Sequence, residues 1–206
     1  MPQAGTVCRI ALAASALAIA LPAFAQTYPA KPIRFIVPFP PGGGTDILSR
    51  LVTNKLSETL GWQIVVDNKP GAGGNIGVDL AAKSAPDGYT LVMGQTSNLA
   101  INPTLYPRLP YNPLKDFAPI TLVSSVPIAL TVSARSPYNT LADFVAAAKA
   151  KPDQITFGSP GNGTVAHLTG ELFQHTAGIK IIHVPYKGAA QALPDLIGRR
   201  IALYTS

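Results

Sequence analysis

The stretch from Phe35 to Asp46, FIVPFPPGGGTD, narrows the possible folds of this chain more than any other. The apolar run Ile33 to Val37 reads as a buried strand. It stops at Pro38 and turns through Pro40, Pro41 and the glycines Gly42 to Gly44. Thr45 or Asp46 then opens a long amphipathic segment. A strand, a glycine-rich turn and a helix start in that order are how an α/β protein builds an anion site. Glycine lets a ligand approach the backbone closely, the first helical N–H groups lack partners in their own helix, and the helix dipole there favours negative charge. A P-loop would need Gly-Lys-Ser/Thr, and Gly44 is followed by Thr45-Asp46. With no lysine placed for phosphate, a carboxylate is the expected anion. The same residues also read as a tight turn with an N-cap and no ligand.

The N-terminus needs separate treatment. Arg9 precedes an apolar run from Ile10 to Leu21, and Ala23-Phe24-Ala25 follows. A charged start, a short apolar stretch and an A-x-A site predict a secretory signal over 1–25, with the mature chain beginning at Gln26 and reaching the periplasm. A retained anchor is the alternative. Cys8 lies ahead of the apolar run, which disfavours a lipoprotein. Removing the leader removes the only cysteine, and with it disulfide and thiol chemistry. Losing Arg9 lowers the formal charge from +6 to +5. The remaining basic residues are scattered, with no basic run or aromatic ladder for nucleic acid. A mild positive excess suits small acids.

The 206 residues suffice for one large or two small domains. After the first strand, Asp46 to Leu60 has apolar residues at helical spacing (Ile47, Leu48, Leu51, Val52, Leu56, Leu60) and ends at Gly61. Trp62 to Asp67 reads as a strand, 68–74 as a second glycine-rich turn, Asn75 to Lys83 as a helix and Thr90 to Gly94 as a third strand. This βαβαβ order predicts a parallel sheet with right-handed crossovers. Ligands in such sheets bind beyond the carboxyl ends of the strands. The 71–77 segment misses the dinucleotide fingerprint because Ile76 stands where its last glycine belongs. From Gln95 to Asp116, repeated prolines read as an irregular crossover. Strands are expected at Ala118 to Val126 and Ile128 to Val132, then a helix from Thr140 to Ala150 with Thr140 as N-cap.

The opening pattern then recurs. Ile155 to Phe157 is a strand, 158–163 a glycine-rich turn, and Thr164 starts a helix running to about Thr176. Lys180 to His183 is a strand, Ala189 to Ile197 a helix and Ile201 to Tyr204 a last strand. Two α/β halves with facing glycine-rich turns make a cleft. His167, Glu171 and His175 recur every four residues on one helix, which could suit zinc. Successive positions drift around the helix, however, and a polar face is the simpler reading. Ser97 and Ser159 lack a G-x-S-x-G elbow, and no local Ser/His or Cys/His pair is evident. A secreted α/β hydrolase-like enzyme acting on a small acid or ester is the rival reading.

Six segments in order carry a resemblance: YPAKPI from Tyr28, VPFPPGGGTD from Val37, DNKPGAGG from Asp67, APDGYTL from Ala85, GSPGNGTVAHL from Gly158 and HVPYKG from His183. Together they resemble the Bug-type extracytoplasmic solute receptors, the substrate-binding proteins of tripartite tricarboxylate transporters. The resemblance implies an α/β fold of two lobes, like periplasmic binding proteins, with Rossmann-like parallel sheets and the ligand between lobes. It implies a carboxylate ligand (a di- or tricarboxylate, acidic amino acid or aromatic acid), membrane subunits of the transporter as partners, no cofactor and no catalysis. Carried onto this chain, lobe one covers 26–100, a crossover 101–116 and lobe two 117–206. Lobe-one contacts would come from Phe39, Pro41, Gly42, Gly43 and Asp46, with Gln95, Thr96, Ser97 and Asn98. Lobe-two contacts would come from Ser159, Asn162, Gly163, Thr164 and His167, with Tyr186 and Lys187 at the rim. Family members continue through more of lobe two and return to complete lobe one, so the resemblance implies a C-terminally truncated receptor.

Overall fold

The computed structural model describes residues 27–206. The signal-peptide expectation for 1–25 lies outside them. Strand β1 (Ile33–Val37) is the centre of a parallel sheet, between β2 (Ile64–Asn68) and β3 (Thr90–Val92). The register pairs Ile33 with Ile64, Val37 with Asn68 and Arg34 with Thr90. A central strand is covered on both faces, which is why its run is apolar apart from Arg34, whose guanidinium pairs with Asp67. Ile33, Ile36 and Val37 are fully buried. Phe35, Val37 and Met93 pack with Ile64, Val66 and Leu91 beneath it.

Helix α1 (Gly44–Leu60) follows β1 and ends at Gly61, whose φ of 68° is left-handed. Its packing departs from the amphipathic expectation. The buried residues are Asp46, Ser49 and Thr53. Ile47, Leu51 and Leu60 are exposed, and Leu48, Val52 and Leu56 are only half-buried. Small residues face inward here, and their hydroxyls are satisfied within the helix. Ser49 Oγ donates to the Thr45 carbonyl at 2.7 Å and Thr53 Oγ1 to that of Arg50 at 3.2 Å. Burying a hydroxyl bonded in this way costs little. The helix start is also earlier than expected, with Gly43 as N-cap and Asp46 inside the first turn.

A one-turn 3-10 segment (Ala72–Gly74) leads into helix α2 (Asn75–Ala82). The segment expected to be wholly irregular contains a π-helical turn (Ser97–Ile101) running into helix α3 (Asn102–Leu105). Pro103 sits in the first turn of α3, where a missing N–H does no harm. Counting it as a helix breaker hid this element.

The second sheet has the order β4 (Leu130–Thr131), β7 (Leu203–Thr205), β5 (Thr156–Ser159), β6 (Ile182–Pro185). Strand β5 runs parallel to β6 and β7, and β4 is antiparallel to β7. Helix α4 (Leu141–Ala150) opens with a full capping box. Thr140 Oγ1 accepts from Asp143 N at 3.1 Å and the Asp143 carboxylate accepts from Thr140 N at 2.9 Å. Helix α5 (Val165–Ala177) and helix α6 (Ala189–Ile197) follow β5 and β6. Phe144, Phe157, Ile181 and Leu203 form one core. Ala192, Leu196, Ile201 and Tyr204 form another. Gly170 permits the close fit of α5, since a Cβ there would stand 2.2 Å from the Phe157 ring.

The long strand expected over Ala118 to Val126 is absent, and the following one is reduced to Leu130–Thr131. Within it, Ile120, Leu122 and Val126 are exposed. A strand needs a backbone partner as well as apolar residues. None pairs with this segment among the described residues.

Candidate functional site

A cleft of about 210 Å³ opens beyond the carboxyl ends of strands from both sheets. From the first sheet, Phe39 follows β1, the Gly71–Gly74 turn follows β2, and Tyr106 follows α3. From the second, Pro160 to Asn162 follow β5 and Tyr186 and Lys187 follow β6. Its lining contains no carboxylate, and Lys187 is the one charged side chain. Gly71, Gly73, Gly74 and Gly161 expose main chain on both sides of it, between the side chains of Phe39, Tyr106, Asn162 and Tyr186.

The turn below the cleft is unusual. Gly71, Ala72, Gly73 and Gly74 all have positive φ, from 48° at Ala72 to 128° at Gly71. A run of positive φ is open chiefly to glycine, and here it brings the main chain of this turn up to the cleft. Gly74 also lets its neighbours close in, since a Cβ there would be 2.7 Å from Asn98 Nδ2 and 3.3 Å from the Phe39 ring. Asn98 is fully buried, and its Nδ2 has no hydrogen-bond partner among the described residues.

The two sheets touch across the cleft at glycines. A Cβ on Gly73 would lie 2.6 Å from the Asn162 carbonyl oxygen, and one on Gly188 would lie 2.7 Å from Pro40 Cγ. Asn102 strengthens this seam. With its amide nitrogen turned toward acceptors, it donates to the carbonyls of Gly163 at 3.2 Å and Ser97 at 3.3 Å. Its amide lies 2.7 Å from that of Asn75. The Tyr111 hydroxyl is 2.9 Å from Asn75 and donates to the Asn98 carbonyl at 2.7 Å. All these side chains are buried.

Of the residues expected to touch ligand, Phe39, Asn162, Tyr186 and the rim residue Lys187 stand on the cleft wall. Tyr186 is held by its hydroxyl, which donates to Asp195 at 2.8 Å. Burial, aided by Asp195, pushes that hydroxyl up to about 12. Pro41, Gly42, Gly43 and the exposed Thr96 lie off the wall. Asp46 is buried behind the first turn. Its carboxylate accepts from Gly42 N at 2.9 Å, Arg50 Nε at 3.0 Å and Asn68 Nδ2 at 2.9 Å. Burial alone would raise this carboxyl, but the bonds from Arg50, Gly42 and Asn68 outweigh it and hold it below the ordinary range. Gln95 reaches the same turn, its Nε2 donating to Thr45 Oγ1. Its backbone N–H is received by Asn98 Oδ1 at 2.9 Å, and its Oε1 accepts from Ser97 Oγ at 3.3 Å.

Ser159, Gly163, Thr164 and His167 form a scaffold behind the second turn. Thr164 caps α5, accepting from His167 N at 3.2 Å while its hydroxyl donates to the Gly161 carbonyl at 2.7 Å. Ser159 Oγ donates to the Gly161 carbonyl and accepts from Gly161 N, each at 3.2 Å. A Ser/His pair is also present, contrary to the sequence reading. Ser159 Oγ is 2.7 Å from His183 Nε2. Parallel pairing sets Phe157 opposite His183 and Ser159 opposite Pro185, so the pair is diagonal across β5 and β6. Ser159 is fully buried, and the charged neighbour that bears on His183 is His167, not a carboxylate. His167, Glu171 and His175 do not converge, and no group of side chains suited to a metal occurs among the described residues.

A model of the tripartite tricarboxylate transporter family receptor matches residues 48–206. The chain belongs to this receptor family. It is 44% identical to Protein BugT of Bordetella pertussis over 185 residues, 89% of this chain and 57% of BugT. Among solved structures it is similar to R. palustris Rpa4515, solved with adipate (38% identity, TM-score 0.83), with 85% of this chain and 59% of that one covered. It is also similar to MatC of Rhodopseudomonas palustris, solved with bound malate (31% identity, TM-score 0.79, 85% and 60% covered). The chain thus spans somewhat over half the length of these receptors. As in the periplasmic binding protein BugD, to which the chain is also similar (35% identity, TM-score 0.81, 87% and 60% covered), the fold is the α/β periplasmic-binding-protein fold with parallel sheets. No helix of the described residues is long and apolar enough to cross a membrane.

The sequence reading missed the Gly71–Gly74 wall, Tyr106, Asn102 and His183. The glycines are legible as a second glycine-rich turn, but nothing local assigns that turn a place on the cleft wall. His183 could be found only once the register of β5 and β6 was known.

Proposed function

We propose that this receptor holds a small carboxylate in the cleft between its two sheets and presents it to the membrane subunits of a tripartite transporter, after export to the periplasm through a cleaved leader. The observation that carries this reading is the lining, with main-chain glycine turns on both sides, no carboxylate and one lysine. Such a wall presents no carboxylate to repel an anion, and its glycines let a ligand approach the main chain closely. Asn98 Nδ2, buried beside Gly74 without an acceptor, adds a donor near the same wall. Relatives solved with adipate and with malate are consistent with a diacid.

Isothermal calorimetry of the full chain against adipate, malate, glutamate and benzoate tests the proposal. Saturable binding of at least one acid is expected, weakened by salt. Binding of none of them, or equal binding of the matching neutral amides, overturns it.

The Ser159–His183 pair raises a hydrolase as the second reading. Serine catalysis needs an accessible nucleophile and an oriented base. Ser159 is fully buried and its hydroxyl serves Gly161, so the receptor reading is preferred. Labelling of Ser159 by a fluorophosphonate would reverse that preference.

A further inference from the structure

The expectation that His167 touches ligand gives way to a different role in the geometry. The loop Ser159–Gly163 carries three cleft-lining residues, Pro160, Gly161 and Asn162. Two imidazoles stand behind it. His167 Nδ1 accepts the Gly163 N–H at 3.3 Å. His183 Nε2 meets Ser159 Oγ, which in turn holds Gly161 through both its N–H and its carbonyl. The two rings stack on each other at 4.2 Å, and His183 packs on Phe157 at 4.8 Å. Gly163 is thus held at both ends, by His167 at its N–H and by Asn102 at its carbonyl.

We propose that His167 and His183 are positioning residues for the Ser159–Gly163 loop, and that proton uptake by His167 releases Gly163 and weakens the hold of the cleft on an anion. A ring nitrogen accepts a hydrogen bond only while unprotonated. A proton on His167 Nδ1 therefore turns an acceptor into a second donor facing the Gly163 N–H. His167 also lies in the first turn of α5, where the helix dipole disfavours a cation.

Two titratable groups bear on His167. Glu171, one turn along the same helix, lies 3.6 Å from Nε2 and favours the proton. His183, on β6, opposes it, because stacked imidazoles resist carrying two charges. Burial pushes both rings below the ordinary histidine value, His183 to about 4. The device therefore acts below pH 6.5 and leaves the neutral form intact at pH 7.5. The ligand half of this inference rests on the carboxylate reading above, whereas the loop half does not.

The test has two readouts on the full chain. The first needs no ligand. Hydrogen exchange of the peptide spanning 159–167, corrected for the intrinsic pH dependence, should lose protection between pH 7.5 and pH 5. H167Q, which keeps an acceptor but cannot titrate, should flatten that profile. E171Q leaves the loop contacts in place and should move the transition to lower pH, which keeps the test decisive if H167Q folds poorly. The second readout is malate affinity. Between pH 7.5 and 5.5 it should fall about fivefold more in the wild type than in E171Q, the loss of roughly one hydrogen bond. Exchange profiles that coincide in the wild type and E171Q overturn the proposal. A pH-dependent loop with no binding of malate or adipate at any pH supports the positioning role and overturns the carboxylate reading instead.

Discussion

Gly73 and Asn162 meet across the cleft so closely that a Cβ on Gly73 would stand 2.6 Å from the Asn162 carbonyl oxygen. Gly73 therefore has two reasons to lack a side chain, a φ of 64° and this contact. Gly178, at the end of α5, has nearly the same φ of 61° but nothing within 4 Å of its Cβ position. Comparing the two separates conformational strain from the contact. Gly178→Ala should cost about 1 kcal/mol from the left-handed backbone alone. Gly73→Ala should cost roughly 1–3 kcal/mol more, the usual range for overpacking, and should also weaken carboxylate binding. Urea melts and calorimetry check both. Equal losses in the two variants would mean that the cross-cleft contact is loose enough to yield.

Asp46 is expected to act on stability before it acts on binding. Its carboxylate gathers Gly42, Arg50 and Asn68 around the first glycine turn. Asp46→Ala removes three acceptor contacts and leaves Asn68 Nδ2 with only the Phe39 carbonyl at 3.0 Å. Hydrogen bonds to a charged group are worth roughly 1.5–3 kcal/mol. Arg50 is half-exposed, which places the loss at the lower end, about 2 kcal/mol. Asp46→Asn should lose less. The urea midpoints of the two variants measure this, and an unchanged midpoint for Asp46→Ala would show that solvent replaces the whole network.

Legibility of the fold followed the kind of signal each residue gives. Ile33–Val37 was legible because a central parallel strand is apolar on both faces, and Thr140 because a capping box is local in sequence. The α1 packing was not, because periodicity marks where apolar residues lie without saying what covers them. Ser49 and Thr53 face inward only because their hydroxyls bond within their own helix. The site divided the same way. Phe39, Asn162 and Tyr186 lie next to recognisable strand-to-helix turns. Asn102 and His183 depend on contacts between distant segments, such as the β5–β6 register, that no local pattern encodes.

The stacked histidines also predict how stability depends on acid. Burial, together with the charge of His167, lowers His183 to about 4 in the folded chain. Burial lowers His167 as well, with Glu171 opposing. An unfolded histidine titrates near 6.5. The unfolded chain therefore takes up more protons than the folded one below that value, and stability must fall as pH drops from 6.5 toward 4. Above pH 6.5 both states are neutral at these rings, so the pair adds no slope. The lowered carboxyls act in another window. Asp46 and Asp67 contribute stability above the unfolded aspartate value, near 4, and lose it only as pH falls through their folded values. The interval from pH 6.5 to pH 5 thus isolates the histidines. After discounting for the part of the ring that water reaches, His183 should remove about 1 kcal/mol by pH 5. His183→Gln should flatten that interval while leaving the steeper loss below pH 4 in place. Urea melts in half-unit pH steps measure the slope, and a wild-type stability that is level from pH 7 to pH 5 would show that the buried pair takes up protons as readily as the unfolded chain.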